Sequence, residues 1–319
     1  MSMNRPTENR TNRTPVHLTV AICTWNRADI LWRTLDQMRH LNVPVNITWE
    51  LIVVNNNCSD HTDTVLAEFS SRLPLRRVFE PNPGLSNARN AAVAEAVGAF
   101  ILWTDDDVLV APQWLAEYAD AIARYPDADI LGGPIKPWFD GTPPRWLARG
   151  FHVVEAAYAA RDSSPDETTI TPDNLPFGAN MVVRRAAQIR HAYDPALGRG
   201  PGNMLGCEEI AVLKGILQDG GRGYWVPGAS VRHFIPRSRQ TLSYLWSYWR
   251  GNGLSAARIG PSRGRFRLFG SPGWLWRDAT TSVFRLVVGV LASPPDRWLS
   301  HMRTAAGSWG RLQGSWQRD

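Results

Sequence analysis

Residues 98–107 read Gly-Ala-Phe-Ile-Leu-Trp-Thr-Asp-Asp-Asp. The apolar run Phe100-Ile101-Leu102-Trp103 does not alternate with polar residues, which suits a strand buried on both faces of a parallel sheet. It stops in three consecutive carboxylates, Asp105, Asp106 and Asp107. Ligands of open α/β sheets bind beyond the carboxyl ends of the strands, and acids crowded there repel one another unless a cation lies among them. Asp105 and Asp107 suit a hard divalent ion that keeps several waters and takes further ligands from a diphosphate. The alternative is a cap on the helix that follows at Pro112, where a carboxylate would satisfy free N–H groups. A cap needs only one acid.

Outward from this stretch, strand and helix alternate at short intervals. β-Branched and apolar residues predict strands over 16–24, 49–54 and 75–80, and helical spacing predicts helices over 28–40, 61–71, 85–97 and 112–124. This pattern reads as a βαβ-type parallel sheet through residue 125. Beyond it, 129–135 and 180–183 are predicted strands and 210–218 and 237–249 predicted helices. The Pro- and Trp-rich stretch 137–151, the polar stretch 162–174 and the Gly-rich stretch 198–206 read as loops. The glycines match neither GxGxxG nor GxxxxGK[ST], so no dinucleotide fingerprint and no P-loop is present.

A chain of 319 residues, 44% apolar and 20% charged, can form one large α/β domain with an appended segment. Fifteen Trp point to ligand stacking, sugar faces or a membrane-surface belt. The net charge of +6 is unevenly placed: residues 237–319 hold thirteen Arg against three Asp, so long-range attraction for anions sits in the tail. Cys23, Cys58 and Cys207 are too few and scattered for a disulfide framework or a zinc site, which predicts a reducing compartment. Residues 1–15 are polar and read as a disordered lead-in without a signal-peptide core. No stretch reaches the roughly 18 apolar residues that a membrane-spanning helix requires.

Several pieces in order carry a resemblance: VAICTWNR (20–27), ELIVVNNNCSD (50–60), GLSNARNAA (84–92), FILWTDDD (100–107), LPFGAN (175–180), GCEEIAVLKGIL (206–217) and VRHF (231–234). Together they resemble glycosyltransferase family 2 over residues 16–250. The resemblance implies the GT-A fold, a mostly parallel central sheet flanked by helices, and a nucleotide-sugar donor. It places Asp105 and Asp107 at the D-x-D motif that holds Mg²⁺ or Mn²⁺ against the donor diphosphate, with Asp106 toward the ribose or sugar. His233 falls at a late metal- or diphosphate-binding histidine; a lone His is otherwise more often structural, though imidazole can complete a hard-ion site.

Thr24, Asn26 and Arg27 fall where family members contact the nucleotide, against a plain β-turn. Asn55 stands where the family usually has an Asp that reads uracil; an Asn can still accept and also donate. Asp60 would serve the base or ribose, or cap the helix after it. Arg89 lies on an Ala-rich helix, where burial requires an anionic partner. The resemblance puts it near the nucleotide or the carboxylates, and the alternative is a surface pair with Glu80 or Glu95. Glu208 and Glu209 replace the family's Glu-Asp pair, whose second acid is the general base of an inverting transfer. Glu209 is therefore the expected base with Glu208 as its substitute, although both would also suit a helix N-terminus. Trp138 and Asn180 are acceptor-side candidates, Trp138 because sugar faces stack on indoles.

These readings divide the chain into a donor half at 16–125, an acceptor half at 126–250 and a basic, Trp-rich helical segment at 251–319. The expected activity is metal-dependent inverting transfer from a uridine or thymidine diphosphate sugar to a glycan, lipid-linked glycan or small acceptor. A sugar-nucleotide-forming nucleotidyltransferase would share the sheet, metal and carboxylates but needs a Gly-rich loop after the first strand, and 20–29 holds no glycine. An inactive sugar- or nucleotide-binding module is the other alternative, favoured only by Asn55. In the tail, 281–291 is too short to span a bilayer but its Arg and Trp flanks suit an anionic membrane surface; packing on the catalytic domain or on a partner protein are the alternatives. The expected location is cytoplasmic, at the inner membrane face if the tail binds lipid. Nucleic acid is an unexpected partner, because no reader motif is present and large apolar residues separate the arginines.

Overall fold

The computed structural model describes residues 16–161, 168–198, 208–259 and 266–316. The lead-in, most of the Gly-rich loop with Cys207, and part of the polar stretch after residue 161 fall outside these residues. The first half runs β1 (Val16–Thr24), α1 (Ala28–Met38), β2 (Ile47–Asn55), α2 (Thr62–Phe69), β3 (Leu75–Phe79), α3 (Leu85–Glu95), β4 (Phe100–Asp105), β5 (Val108–Val110) and α4 (Trp114–Arg124). The second half runs β6 (Ala128–Gly132), β7 (Ile135–Phe139), α5 (Arg145–Val154), β8 (Asn180–Arg184), α6 (Arg185–Arg190), α7 (Glu208–Gln218), β9 (Arg222–Trp225), β10 (Val231–Ile235), α8 (Leu242–Ile259), α9 (Gly273–Ala292) and α10 (Pro295–Trp316).

The central sheet has the order β3-β2-β1-β4-β8-β6-β9. Its first four strands are parallel, as the alternating pattern predicts, while β8 runs antiparallel between β4 and β6. Both faces are covered. Leu18, Val20, Ile22 and Leu102 face a core closed by α1 and α4; Ala21, Ile52, Ile101 and Trp103 face the core under α3 and α7. The buried positions of α1 (Ala28, Leu31, Leu35, Met38) recur every three or four residues, so one stripe meets the sheet. Gly98 admits β4 beside β1, since a Cβ there would collide with the Leu18–Thr19 backbone.

A second sheet, β5-β10-β7, stands at the carboxyl end of β4. Asp106 and Asp107 form the two-residue connection between the sheets, and β10 pairs with β5 so that His233 lies opposite Val108. The expected single strand over 129–135 is broken at Gly132-Gly133-Pro134, where the chain leaves one sheet for the other. The expected loop at 137–151 is in fact the end of β7 and most of α5. Pro137 obscures the strand in the sequence, yet β7 is an edge strand, where a missing N–H is tolerated.

The C-terminal helix α10 shares a core with earlier elements: its Leu299, Met302 and Ala306 cluster with Leu147 and Val154 of α5, Ile235 of β10, and Leu245 and Trp249 of α8. α8 runs unbroken across residue 250, where the sequence reading places a boundary. Glycines bring α8 and α10 to backbone contact: a Cβ at Gly253 would strike the carbonyl of Gly307, one at Gly310 the carbonyl of Arg250, and one at Gly314 the Ala257 methyl.

Candidate active site

The carboxyl ends of β1 and β4 open into a cavity of about 420 Å³. Thr24, Trp25 and Arg27 bound it on one side, Arg89 of α3 and Glu208 and Glu209 of α7 on another, and His233 and Arg239 behind the aspartates. Tyr244, Tyr248 and Asn252 of α8 close the far wall. The acidic connection thus lies at the crevice where strand ends place ligands.

Asp105, Asp107 and His233 each offer a ligand atom, and these atoms lie within 4.8 Å of one another. His233 Nδ1 stands 2.6 Å from the carbonyl of Tyr158, which can only accept, so the proton sits on Nδ1. Nε2 is left facing Asp107 Oδ1 at 3.2 Å, able to carry a second proton or bind a cation. A backbone carbonyl that fixes the tautomer is the usual outer support of a metal-binding imidazole. Two carboxylates and an oriented imidazole therefore fit Mg²⁺ or Mn²⁺. Burial alone would lower the His233 pKa, but the Asp107 carboxylate beside it outweighs burial and raises it. Burial alone would raise Asp107, but His233, Arg27 and Arg239 hold its carboxyl well below the usual range.

Arg27 spans Asp106 and Asp107, donating to Asp106 Oδ1 at 2.5 Å and to Asp107 Oδ2 at 2.6 Å. Asp106 Oδ2 accepts from Thr24 at 2.8 Å, and its main-chain carbonyl accepts from Thr34 at 2.8 Å. Asp106 thus ties β4 to the end of β1, its carboxylate committed to Thr24 and Arg27. Burial raises its pKa to about 7 against the pull of Arg27, and Asp107 adds to the rise.

Across the cavity, Arg89 is buried and donates to Glu208 Oε1 at 2.9 Å, with Glu209 Oε2 at 3.7 Å. Its guanidinium lies over Tyr193 and Trp103, 5.3 and 5.9 Å from the ring centres. Arg89 thus pairs with the carboxylates of α7, while Glu95 pairs with Arg76 instead. Burial and the Glu209 carboxylate raise the Glu208 pKa to about 8 against the pull of Arg89. Glu208 therefore tends to hold a proton near neutrality. Glu209 is the more open of the two, with 18% of its side chain exposed against 4%.

Five sequence candidates lie off the cavity wall. Asn26 Oδ1 accepts from the Ser59 and Asp60 amides, joining the β1 and β2 loops. Asn55 donates to Asp63 and accepts from the Cys58 amide. Asp60 accepts from the Ala28 amide at the start of α1 and from the Thr62 amide and hydroxyl at the start of α2, so it caps two helices. Trp138 packs edge-on against Phe234 under the Arg232 guanidinium. Asn180 is wholly buried: Oδ1 accepts from Trp114 Nε1 and the Tyr118 hydroxyl at 2.8 Å each, and Nδ2 donates to the carbonyls of Pro134 and Ala229. It is a junction between the two sheets rather than an acceptor contact. Asn180→Ala leaves two donors and two acceptors buried without it and should lower stability by about 3 kcal/mol, read as a shift of the urea midpoint.

Trp25, Arg239, Tyr244, Tyr248 and Asn252 stand on the wall without having been singled out as site residues from the sequence. Tyr244 and Tyr248 carried a usable signal, since a spacing of four on one helix puts both on one face. Phe151, Tyr158, Tyr244 and Tyr248 stack in series at 5.8, 5.7 and 6.4 Å between ring centres, with interplanar angles of 17°, 23° and 25°.

Comparison with known proteins agrees with this geometry. A family model described as glycosyl transferase family 2 matches residues 19–193. The succinoglycan biosynthesis protein ExoM of Rhizobium meliloti (strain 1021) is 25% identical over 235 residues, 72% of this chain and 71% of that protein. The validoxylamine A glucosyltransferase of Streptomyces hygroscopicus subsp. jinggangensis (strain 5008) is 29% identical over 118 residues, 36% of this chain and 28% of that protein. Among solved structures, the mannosyltransferase PcManGT from Pyrobaculum calidifontis, in complex with GDP-Man and Mn²⁺, superposes with a TM-score of 0.59 at 18% identity, covering 97% of this chain and 89% of its own. S. aureus TarS 1–349 in complex with UDP-GlcNAc gives 0.56 at 14% identity, covering 92% and 91%. At such identities the structural likeness is one of fold.

Proposed function

The chain belongs to glycosyl transferase family 2 and has the GT-A fold, and from that premise we propose a metal-dependent inverting transfer of a sugar from a uridine or thymidine diphosphate donor. One observation carries the reading: Asp105, Asp107 and His233 converge on one wall of the cavity that Glu209 shares. Asp105, Asp107 and His233 would hold the cation. A bound Mg²⁺ or Mn²⁺ supplies Lewis-acid neutralisation of charge on the leaving diphosphate.

The remaining steps fall to side chains. Arg27 and Arg239 fix Asp107, and Thr24 and Arg27 fix Asp106, so the acidic connection is held before a donor arrives. Glu209 removes the proton of the acceptor hydroxyl as that oxygen attacks the anomeric carbon opposite the diphosphate. Arg89 holds the Glu208-Glu209 pair in place, and protonated Glu208 leaves Glu209 as the available base. The acceptor belongs to a glycan or lipid-linked glycan, a reading supported by the succinoglycan-biosynthesis name of ExoM. The segment from residue 251 onward associates peripherally with the membrane that carries such acceptors.

Calorimetric titration of uridine, thymidine and guanosine diphosphates with and without Mn²⁺ tests the donor site. The expected result is Mn²⁺-dependent binding of a uridine or thymidine diphosphate that Asp107→Ala abolishes. Binding of guanosine diphosphate alone would reassign the donor, and metal-independent binding unaffected by Asp107→Ala would refute the cation site.

A further inference from the structure

α9 joins the C-terminal core through Leu275, Ala279, Ser282 and Gly289, and this buried stripe covers only one side of the helix. On the opposite side of its last two turns, Phe284, Val287, Val288 and Leu291 are exposed, Phe284 to 69% and Leu291 to 84%. Exposed apolar residues elsewhere, such as Val45, Val97 and Ile189, stand on separate elements, which is ordinary for a protein surface. Four on one stripe are not.

Arg277 and Arg285 are exposed on the same helix, and its one acidic residue, Asp278, lies 3.5 Å from Arg277. Charge decides what would cover this face. A second copy docked symmetrically on α9 would bring like charges together around Arg285, whereas an acyl layer beneath anionic headgroups accepts both the apolar stripe and the arginines. Among the described residues no helix is long and apolar enough to cross a membrane, so α9 suits lying in the interface.

We infer that the outer face of α9 is the membrane-docking surface of this protein, with Phe284, Val287, Val288 and Leu291 entering the acyl boundary and Arg277 and Arg285 meeting anionic lipid phosphates. This rests on the peripheral association proposed above and assigns it a surface and a lipid class.

The test is sedimentation of the full chain with vesicles of phosphatidylcholine alone or with a quarter phosphatidylglycerol. Wild type should bind the phosphatidylglycerol vesicles, more weakly at high salt. The double substitution Phe284→Ser with Leu291→Ser should weaken binding by about tenfold or more, and Arg285→Glu should weaken it on anionic vesicles only. These side chains lie outside the cavity wall, so nucleoside diphosphate binding by calorimetry stays as in wild type. That measurement separates failure of the docking surface from failure of the donor site. Equal binding by wild type and the double variant would overturn the inference. So would a wild-type dimer in analytical ultracentrifugation that the double variant dissolves, since α9 would then be an interface between copies.

Discussion

Glu209→Gln should lower donor turnover by about 10²- to 10⁴-fold, the usual contribution of a positioned general base, with nucleoside diphosphate affinity unchanged. The isosteric amide keeps the shape of the wall and can still meet Arg89, but it cannot take a proton. Release of nucleoside diphosphate from the sugar donor, with water or an acceptor preparation as nucleophile, gives the rate, and calorimetry gives the affinity. The companion Glu208→Gln should keep most of the turnover, because burial raises Glu208 to about 8 and leaves it protonated while Glu209 faces the cavity. The reverse pattern would make Glu208 the base.

Arg89→Leu should destabilise the fold by about 3–5 kcal/mol, the cost of removing one partner from a buried charge set. Arg89 is the cation that pairs with Glu208 and lies beside Glu209, and its side chain is 5% exposed. The pH dependence has a definite sign. Glu208 binds a proton more tightly folded than unfolded, so its contribution is fully present below pH 4.5 and is lost as pH rises through about 8. Without Arg89 the folded pKa rises further, so the loss continues to higher pH and the gap from wild type widens above pH 8. Urea unfolding of both proteins at pH 6 and pH 9 measures this, and a gap that narrows with pH would contradict the arrangement. In wild type, Glu208→Gln should flatten the slope between pH 5 and 8.

The first half was readable because its signals are local. β1 is bounded in the structure as its β-branched run predicts, and the Asp106-Asp107 turn follows β4 directly. The order of short motifs placed His233 and Glu209 in the same site, although 126 residues separate Asp107 from His233 and only the β5–β10 pairing brings them together. Polar residues at strand ends were harder. Asn26 and Asn180 look alike whether they serve a ligand or unpaired backbone groups, because their partners lie far along the chain; Asn180 bonds groups from Trp114 to Ala229. In the tail, the short apolar run and its Arg and Trp flanks were visible, but the choice between packing and exposure turned on small residues. Gly307, Gly310 and Gly314 fall on the packed helix α10, and the exposed stripe belongs to α9.

The glycine contact between α8 and α10 also sets an order in time. α8 carries Tyr244, Tyr248 and Asn252 on the cavity wall, and its inner residues Leu245 and Trp249 are covered by α10. The sheet, the aspartates and Glu209 all leave the ribosome before α10 does, and chains fold from the N-terminus as they emerge. A nascent chain can therefore assemble the elements of its first half while the far wall still waits for residues 295–316. The wall is completed only after α10 has followed α8, and a chain stopped short of α10 would present its carboxylates to an open cleft.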